Sequence, residues 1–250
     1  QKKRLLVRPR VIVCVPSGIT EVEKRAVRDS ALHAGSREVH LISEPIAAAI
    51  GADLPIDMAC GNMVMDIGGG TSEIAVISLS HIVVHNSIRV GGDQIDMDII
   101  NYLRKKSNLL VGPQTAEKIK MTIGSAYPLK QELSMDVRGR DIISGYPVTI
   151  KISSEEIREA ISETVATIID AIKRLFERTV AELSADIAER GIFLTGGGAL
   201  LKGLDEKIRK TVDLPVHVVP DPTECVVKGA GKVLDDVDRY RQVLIKRIED

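Results

Sequence analysis

The chain has 250 residues, of which 28% are charged, 44% hydrophobic and only 2% aromatic, and its formal net charge is −1. A balanced charge gives no overall electrostatic surface for nucleic acid, and so few aromatic residues argue against a platform for stacking bases. The three cysteines lie far apart without CxxC spacing, which argues against a disulfide framework or zinc site and fits a reducing cytosol. We therefore expect one large or two smaller domains and no nucleic-acid partner.

The first ten residues combine five basic side chains with the apolar cluster Leu5, Leu6 and Val7. One interpretation is a solvated end that leads into a strand. The other is a small contact with a membrane surface, in which the basic side chains meet anionic lipid and the apolar residues insert. The sequence leaves both open.

Residues 11–50 alternate strand and helix patterns. Residues 11–15 are a continuous apolar run, as expected of a strand buried on both faces of a parallel sheet. Thr20 with Glu23 forms a capping box that predicts the start of a helix. A second strand is predicted at residues 39–42, followed by an alanine-rich helix at 46–50. This order predicts an α/β sheet unit.

Residues 63–79 read MVMDIGGGTSEIAVISL, an apolar run that ends on Asp66 and is followed by three glycines, two hydroxyl residues and a second apolar run. This pattern predicts two strands joined by a glycine turn. Glycine lets the N–H groups of Gly68, Gly69 and Gly70 approach a ligand, and such a nest binds anions, commonly phosphate. Asp66 beside it suits a hard divalent cation held through water. A tight hairpin without a ligand is the alternative.

A second glycine segment, TGGGAL at residues 195–200, follows a short apolar strand at 192–194. It is predicted to open a helix that ends near Lys210, and a helix N-terminus favours anions. Neither glycine segment matches a P-loop or the Rossmann GxGxxG pattern. Two anion sites on two α/β units indicate a cleft that holds one polyphosphate from both sides.

Three further charged residues have two interpretations each. Glu44 lies at the carboxyl end of a predicted strand, where α/β proteins place ligands. It either orients a water for attack on phosphate or offsets a helix dipole. Glu117 and Lys120 lie about one turn apart on a helix predicted over residues 115–126, with Thr115 as its cap. They form either a surface ion pair or contacts with the base and ribose of a nucleotide.

The rest of the chain predicts elements that surround these segments. Asp93 is predicted to cap a helix with one apolar face. Apolar runs at residues 133–137 and 148–152 predict strands of an antiparallel insert. Ser153 or Ser154 is predicted to cap a long helix, and residues 225–234 predict a final helix.

Six stretches of the sequence together carry a family resemblance. They are VIVCVPSGITEVEKRAV (11–27), EPIAAAIG (44–51), MVMDIGGGTSEIAVISL (63–79), SIRVGGD (87–93), AEKIKMTIGSAYP (116–128) and GIFLTGGGALLKG (191–203). They resemble the actin, sugar-kinase and DnaK-type chaperone superfamily. DxGGGT and TGGGA specify this superfamily, whereas IRVGGD with IGSAYP points to its MreB family of bacterial actin homologues.

The resemblance implies an α/β protein with the actin-like ATPase fold, built from two ribonuclease-H-like lobes, with the first lobe truncated at its N-terminus. Residues 1–60 would be the remainder of the first lobe, subdomain IA. Residues 61–250 would be the second lobe, subdomain IIA, with IIB inserted at about 95–155 and a C-terminal helix returning toward the first lobe through a hinge at 229–231. The family's first phosphate loop, an Asp-Leu-Gly-Thr type motif, has no counterpart here, so we expect the chain to be a fragment.

The same resemblance implies roles for individual residues in binding ATP and Mg²⁺. Glu44 and Thr71 would orient the attacking water, and Asp66 would hold Mg²⁺ through water. Glu117 and Lys120 would contact the nucleoside. The remaining cofactor-binding residues fall in the two glycine segments: Gly68, Gly69, Gly70, Thr71 and Ser72 in the first, and Gly196, Gly197, Gly198 and Ala199 in the second.

At the level of function, the resemblance implies an ATP-binding cytoskeletal protein that is cytoplasmic and polymerises into paired filaments at the inner face of the membrane. It would guide cell-wall synthesis in rod-shaped cells and hydrolyse ATP slowly in the intact protein. Leu6 and Val7 would reach the membrane, and membrane-bound cell-shape and wall-synthesis proteins would be partners. The alternatives are a chaperone-type ATPase of the same fold, a small-molecule kinase, and a nucleotide-binding module without turnover.

Overall fold

A computed structural model describes residues 8–245, so the predicted membrane contact of Leu6 and Val7 lies outside the described residues. No helix in this range has both the length and the apolar composition that a membrane span requires. In chain order the elements are β1 (Arg10–Val15), α1 (Glu21–His33), β2 (Glu38–Ser43), α2 (Glu44–Gly51), β3 (Asn62–Ile67), β4 (Ser72–Ser78), β5 (His81–Ile88), α3 (Gly92–Ser107), β6 (Leu109–Leu110), α4 (Pro113–Ile123), β7 (Ser134–Asp141), β8 (Pro147–Ser153), α5 (Ser154–Ala160), α6 (Ser162–Glu177), α7 (Ala181–Arg190), β9 (Ile192–Thr195), α8 (Leu204–Val212), β10 (Val216–Val218) and α9 (Cys225–Asp235).

Strands β1 and β2 form a two-stranded parallel sheet, which with α1 and α2 makes the β1–β2 unit. Helix α1 begins with the predicted capping box: the Glu23 amide donates to Thr20 Oγ1 at 3.3 Å, and the Thr20 amide donates to the Glu23 carboxylate at 2.9 Å. Our prediction that β1 is buried on both faces is wrong, because only Val15 is buried. Helix α1 contributes no buried residue, so it covers this sheet only thinly.

The large sheet has the strand order β10-β9-β3-β4-β5. Its central strand, β3, runs antiparallel to β4 and parallel to β9. The register places Asp66 of β3 opposite Thr195 of β9, the residue just before the second glycine segment. Because β3 and β9 are parallel, both end at the same edge of the sheet. The two glycine segments, far apart in the chain, therefore leave the sheet side by side.

Strands β3 and β4 are buried because elements cover both faces of the large sheet, and all seven residues of β4 are buried. On one face, Met65 and Ile74 pack in the main core with the apolar side chains of α6. On the other face, Val64 and Ala75 pack with α2 and α9 in a second core. Alternate residues thus supply two cores, which explains the near-continuous apolar sequence of both strands.

The predicted antiparallel insert is present as a three-stranded sheet in the order β6-β7-β8. Strands β7 and β8 confirm the predicted strands at 133–137 and 148–152, and each extends further toward the turn that joins them. Strand β6 was not predicted, because Leu109–Leu110 is too short to produce an alternating pattern.

Two helix starts differ from prediction because glycine occupies the cap position. Helix α3 begins at Gly92 with Gly91 as its N-cap, so Asp93 lies in the first turn without capping the helix. Helix α4 has Gly112 as its N-cap, so Thr115 lies in its first turn, three residues after the cap. The predicted side-chain caps at Asp93 and Thr115 are therefore wrong.

Two predicted helices are interrupted in the structure. The long helix that Ser153 caps breaks at Ile161 into α5 and α6. The second glycine segment does not open an α-helix. Gly197–Leu200 forms a 3₁₀ turn, and α8 begins at Leu204 after Gly203, whose φ is 70°. Glycine adopts this positive φ without strain, so Gly203 separates the 3₁₀ turn from α8.

The C-terminal helix α9 crosses α2 at very short range. A Cβ built at Gly229 would lie 1.8 Å from the Ala47 carbonyl oxygen, and one at Gly51 would lie 1.9 Å from the Cys225 carbonyl oxygen. Only glycine fits at either position, since main-chain atoms cannot move aside cheaply. Helix α9 therefore packs against the β1–β2 unit. The predicted division into two lobes at residue 60 stays a prediction.

Candidate functional site

A cavity of about 470 Å³ opens where the two glycine segments leave the large sheet. Its volume is in the range of small-molecule and cofactor sites. Four segments line it: the first glycine turn, the start of α3, one face of α4, and the second glycine segment with residues that follow it. The lining residues are Gly68, Gly69, Gly92, Asp93, Ile95, Glu117, Lys120, Met121, Gly197, Gly198, Leu200, Leu201 and Thr223.

The first glycine turn is fixed against the start of α3. The Gly68 amide donates to the Thr71 carbonyl at 2.9 Å and closes the turn. The amides of Gly92 and Asp93 donate to the carbonyls of Gly68 and Gly69, each at 2.9 Å. Since helix α3 holds these two carbonyls, the turn keeps one orientation relative to the cavity.

The space around the first glycine turn is open. A Cβ built at Gly70 meets no atom within 4 Å, and one at Gly68 meets only the Thr71 carbonyl oxygen at 3.3 Å. At Gly69 the nearest atom is a carboxylate oxygen of Asp93, at 3.2 Å. Packing alone gives little reason for three glycines here. Close approach of a ligand to the main chain is a sufficient reason, so the turn fits a phosphate group.

The second glycine segment is tightly packed. Gly196 has a φ of 80°, and a Cβ there would lie 2.3 Å from Asp66 Oδ1 and 2.4 Å from the Ile67 carbonyl oxygen. A Cβ at Gly198 would lie 2.2 Å from Ile67 Cγ2, whereas at Gly197 the nearest atom is 3.9 Å away. Two of these three glycines are therefore required for the chain to cross the end of β3.

The α4 wall of the cavity carries a fixed lysine. Lys120 Nζ lies 2.9 Å from the Asp96 carboxylate and donates to the Gly92 carbonyl at 3.0 Å. Burial raises the pKa of Asp96, and the Lys120 ammonium opposes that rise. The surface ion pair that we considered between Glu117 and Lys120 is not the one in the structure, because α4 faces α3 and Lys120 reaches Asp96. Glu117 and Lys120 both line the cavity.

Carboxylates gather at the ends of β2, β3 and β4. Burial raises the pKa of Glu44, and the charges of Asp66 and Glu73 raise it further. Burial also raises the pKa of Asp66. The nearby Thr195 hydroxyl lowers the pKa of Asp66, and the charge of Glu73 raises it. The contact between Thr195 and Asp66 does not have the geometry of a standard hydrogen bond. This negative charge suits a nearby cation.

A direct metal site is absent from the part of the chain that the structure describes. No group of three or more His, Cys, Asp or Glu side chains in residues 8–245 is arranged to hold a metal ion. The predicted role of Asp66, which would hold Mg²⁺ through water, stays a prediction.

The structure brings some predicted site residues into the cavity lining and leaves others beside it. Glu44, Asp66, Gly70, Thr71 and Gly196 are not lining residues, although they lie in or next to the segments that flank it. Six predicted residues line the cavity directly: Gly68, Gly69, Glu117, Lys120, Gly197 and Gly198.

Two predicted cofactor-binding residues have side chains inside the fold. Ser72 is fully buried, and its hydroxyl donates to the Val90 carbonyl at 2.7 Å. Ala199 is also buried. The structure therefore gives neither side chain to the cavity, because the first closes the β4–β5 ladder and the second packs in the main core.

Sequence reasoning missed several residues that the fold brings to the site. Gly92 and Asp93 line the cavity, yet we interpreted Asp93 only as a helix cap and GGD only as part of a family motif. Leu200 and Thr223 also line it, and no local pattern distinguishes them. Glu73 carried a detectable signal, since it is a single charged residue inside the apolar run of β4.

A mixed α/β fold that sends two glycine segments to one sheet edge beside a cavity defines the actin-like ATPase class. Solved structures agree with this assignment. MreB5 of Spiroplasma citri bound to AMPPNP matches with a TM-score of 0.91 and 37% identity, over 97% of this chain and 73% of that one. The same protein bound to ADP matches with a TM-score of 0.90 and 38% identity, over 93% of this chain and 71% of that one.

Sequence comparisons identify the family. The MreB/Mbl protein family matches residues 1–242. The cell shape-determining protein MreB of Escherichia coli (strain K12) is 51% identical over 232 residues, which cover 93% of this chain and 67% of the relative. The cell shape-determining protein Mbl of Bacillus subtilis (strain 168) is 46% identical over 237 residues, covering 95% of this chain and 71% of the relative. The chain belongs to the MreB/Mbl family of bacterial actin-like cytoskeletal proteins.

Proposed function

We propose that the cavity between the two glycine segments binds ATP, with Mg²⁺ held through water. The observation that carries this proposal is the β3–β9 register, in which Asp66 lies opposite Thr195, so that both glycine segments border one cavity of about 470 Å³. The related MreB5 has been solved with AMPPNP and with ADP bound.

Each wall of the cavity has a distinct proposed role. The N–H groups of Gly69, Gly70 and Thr71 bind phosphate oxygens, because this turn leaves room for a ligand at the main chain. The Gly68 N–H instead donates to the Thr71 carbonyl and holds the turn closed. Glu117 and Lys120 contact the nucleoside from α4. The second glycine segment borders the adenosine side of the nucleotide and contributes its backbone, at Gly196, Gly197, Gly198 and Ala199. Ser72, in the first segment, also acts through its backbone.

The proposed reaction is slow transfer of the terminal phosphoryl group to water. Mg²⁺, when bound, would neutralise the phosphate charge. Glu44 and Thr71 orient the attacking water, and the raised pKa of Glu44 makes its carboxylate a better proton acceptor than an exposed one. Asp66 would hold Mg²⁺ through water when the cation is bound.

The biological role that we propose is a self-assembling cytoskeletal filament at the inner face of the membrane, which sets rod shape through wall-synthesis proteins. It rests on the relatives, whose names describe cell-shape determination. We further propose that residues 1–60 form part of a first lobe, that residues 61–250 form a second lobe with an insert at about 95–155, and that Leu6 and Val7 contact lipid.

The experiment that tests the nucleotide proposal measures ATP binding and phosphate release, with and without Mg²⁺. It uses the chain and a form extended upstream to the length of its relatives, each with a Glu44→Ala variant. We expect Mg²⁺-dependent binding, and phosphate release that Glu44→Ala abolishes while binding persists. Binding without release in the extended form would identify a binding module without turnover. No binding in either form would make both glycine segments structural.

A further inference from the structure

Glu73 is a buried carboxylate that the proposed nucleotide site does not use. It lies in β4 with 1% of its surface exposed. The Ser87 hydroxyl of β5 donates to one of its carboxylate oxygens. The other oxygen accepts the backbone N–H of Ser17 at 3.4 Å. Burying a carboxylate costs several kcal/mol unless its hydrogen bonds compensate, so these two hydrogen bonds have to offset the burial of Glu73.

The Ser17 contact joins two separate parts of the fold. Ser17 lies in the loop after β1, whereas Glu73 and Ser87 belong to the large sheet. Ser17 also pairs its side chain with Ser43, with the two Oγ atoms 2.9 Å apart. Glu73 therefore reaches across from the large sheet into the β1–β2 unit.

Ser43 connects this contact to Glu44. It is the N-cap residue of α2, yet its side chain makes no capping hydrogen bond. A serine at this position normally accepts an amide of its own helix, and here its hydroxyl faces Ser17 instead. Glu44, which follows directly, starts α2. The structure thus contains a relay of three hydrogen bonds, Ser87 to Glu73, Glu73 to the Ser17 backbone, and the Ser17 side chain to Ser43. The last step, from Ser43 to Glu44, is the peptide bond that joins them.

We propose that Glu73 is a positioning residue, which holds Glu44 at the distance from the first glycine turn that phosphoryl transfer needs, through Ser17 and Ser43. The inference rests on the proposed function, because it concerns the residue that orients the attacking water. A reacting group displaced by about 1 Å can lose about 100-fold in rate. Glu73 touches neither ligand nor water in this role, so its effect passes through the β1–β2 unit.

The charge of Glu73 gives a second reason for this role. Glu73 lies near Glu44 and Asp66, and its charge raises the pKa of both. A residue present only to fill space would not need a charge that opposes its neighbours. The arrangement is explained if the carboxylate is needed to accept two hydrogen bonds from two different parts of the fold.

A double-mutant cycle between Glu73→Gln and Ser43→Ala tests the relay in the form of the protein that releases phosphate. Each single variant should slow phosphate release about tenfold and change the nucleotide Kd less than about twofold. The double variant should be no slower than either single one, because coupled residues are non-additive. Glu177→Gln, an exposed glutamate on α6, should behave like the unmodified protein.

Hydrogen exchange of the Ser17 amide provides a readout that does not depend on turnover. Glu73→Gln and Ser87→Ala should both speed this exchange. Because Ser87 is exposed to solvent, the Ser87→Ala protein should fold even if the Glu73→Gln protein does not. Multiplicative effects in the cycle, or unchanged exchange at Ser17, would overturn the proposal. Absence of phosphate release in the unmodified protein would instead refute the proposed function, while exchange would still decide whether Glu73 holds the loop.

Discussion

The two glycine segments have nearly the same sequence, GGGT and GGGA, but different physical reasons for their glycines. In the first, an added Cβ at Gly70 meets nothing within 4 Å. In the second, an added Cβ at Gly196 or Gly198 would overlap atoms of β3 at 2.2–2.4 Å. The first segment keeps space for a ligand, and the second keeps space for its own fold. The sequence of a glycine motif therefore does not show whether ligand binding or packing requires its glycines.

The largest effect is expected from Gly196→Ala. The substitution forces a side chain into a left-handed backbone conformation and into contact with Asp66 and Ile67. We expect a loss of about 3 kcal/mol or more in the free energy of unfolding, seen as a fall of roughly 6–12 °C in Tm. Gly197→Ala, where the nearest atom is 3.9 Å away, is the matched control. Equal Tm values for the two variants would contradict the packing explanation.

The next effect separates binding from stability at the first segment. Gly70→Ala should leave the free energy of unfolding within about 0.5 kcal/mol, because the site is open. Nucleotide affinity should fall about tenfold or more, which is about 1.4 kcal/mol, because the methyl group would crowd the phosphate that we propose to bind at the N–H groups of this turn. Titration with a fluorescent ATP analogue measures it, and Gly112→Ala, also in open space, is the control. Loss of stability with unchanged affinity would reverse the comparison.

A smaller effect tests how the second segment is anchored. Lys202 Nζ donates to the carbonyls of Met121 and Thr122 at 2.7 and 3.0 Å, at the end of α4. Lys202→Met removes a cation that satisfies final helix carbonyls, so we expect a loss of about 0.5–1 kcal/mol. Thermal unfolding measures it against Lys118→Met, an exposed lysine on the same helix. If both variants have the unmodified Tm, the anchor contributes nothing.

The smallest effect probes the charge beside the first segment. Burial, Glu44 and Asp66 together raise the pKa of the Cys14 thiol to about 11. The reactive thiolate forms only as pH rises toward that value, so iodoacetamide should modify Cys14 about tenfold faster per pH unit from 7 to 9.5, without a plateau. Glu44→Gln lowers the raised pKa and should speed the reaction a few-fold at pH 8. A plateau near pH 9, as in the urea-unfolded control, would contradict this.

The sequence determined the elements and the family, because these depend on local patterns. The capping box of Thr20 and Glu23, the two strands around the first glycine turn and the apolar run of residues 192–194 could all be identified from the sequence alone. The motifs DxGGGT and TGGGA placed the chain in the correct superfamily, and IRVGGD with IGSAYP placed it in the correct family. Local hydrogen bonds and apolar periodicity produce these features, and both depend only on residues that are close together in the chain.

The tertiary structure alone decided which residues share the site. The register between β3 and β9 places Asp66 beside Thr195, 129 positions apart in number, and no local pattern encodes that pairing. Likewise, Lys120 pairs with Asp96 rather than Glu117 because α4 packs on α3, and Ser72 turns inward to the Val90 carbonyl. Contacts between distant segments depend on how the whole chain closes its cores, so they become visible only when those cores are formed.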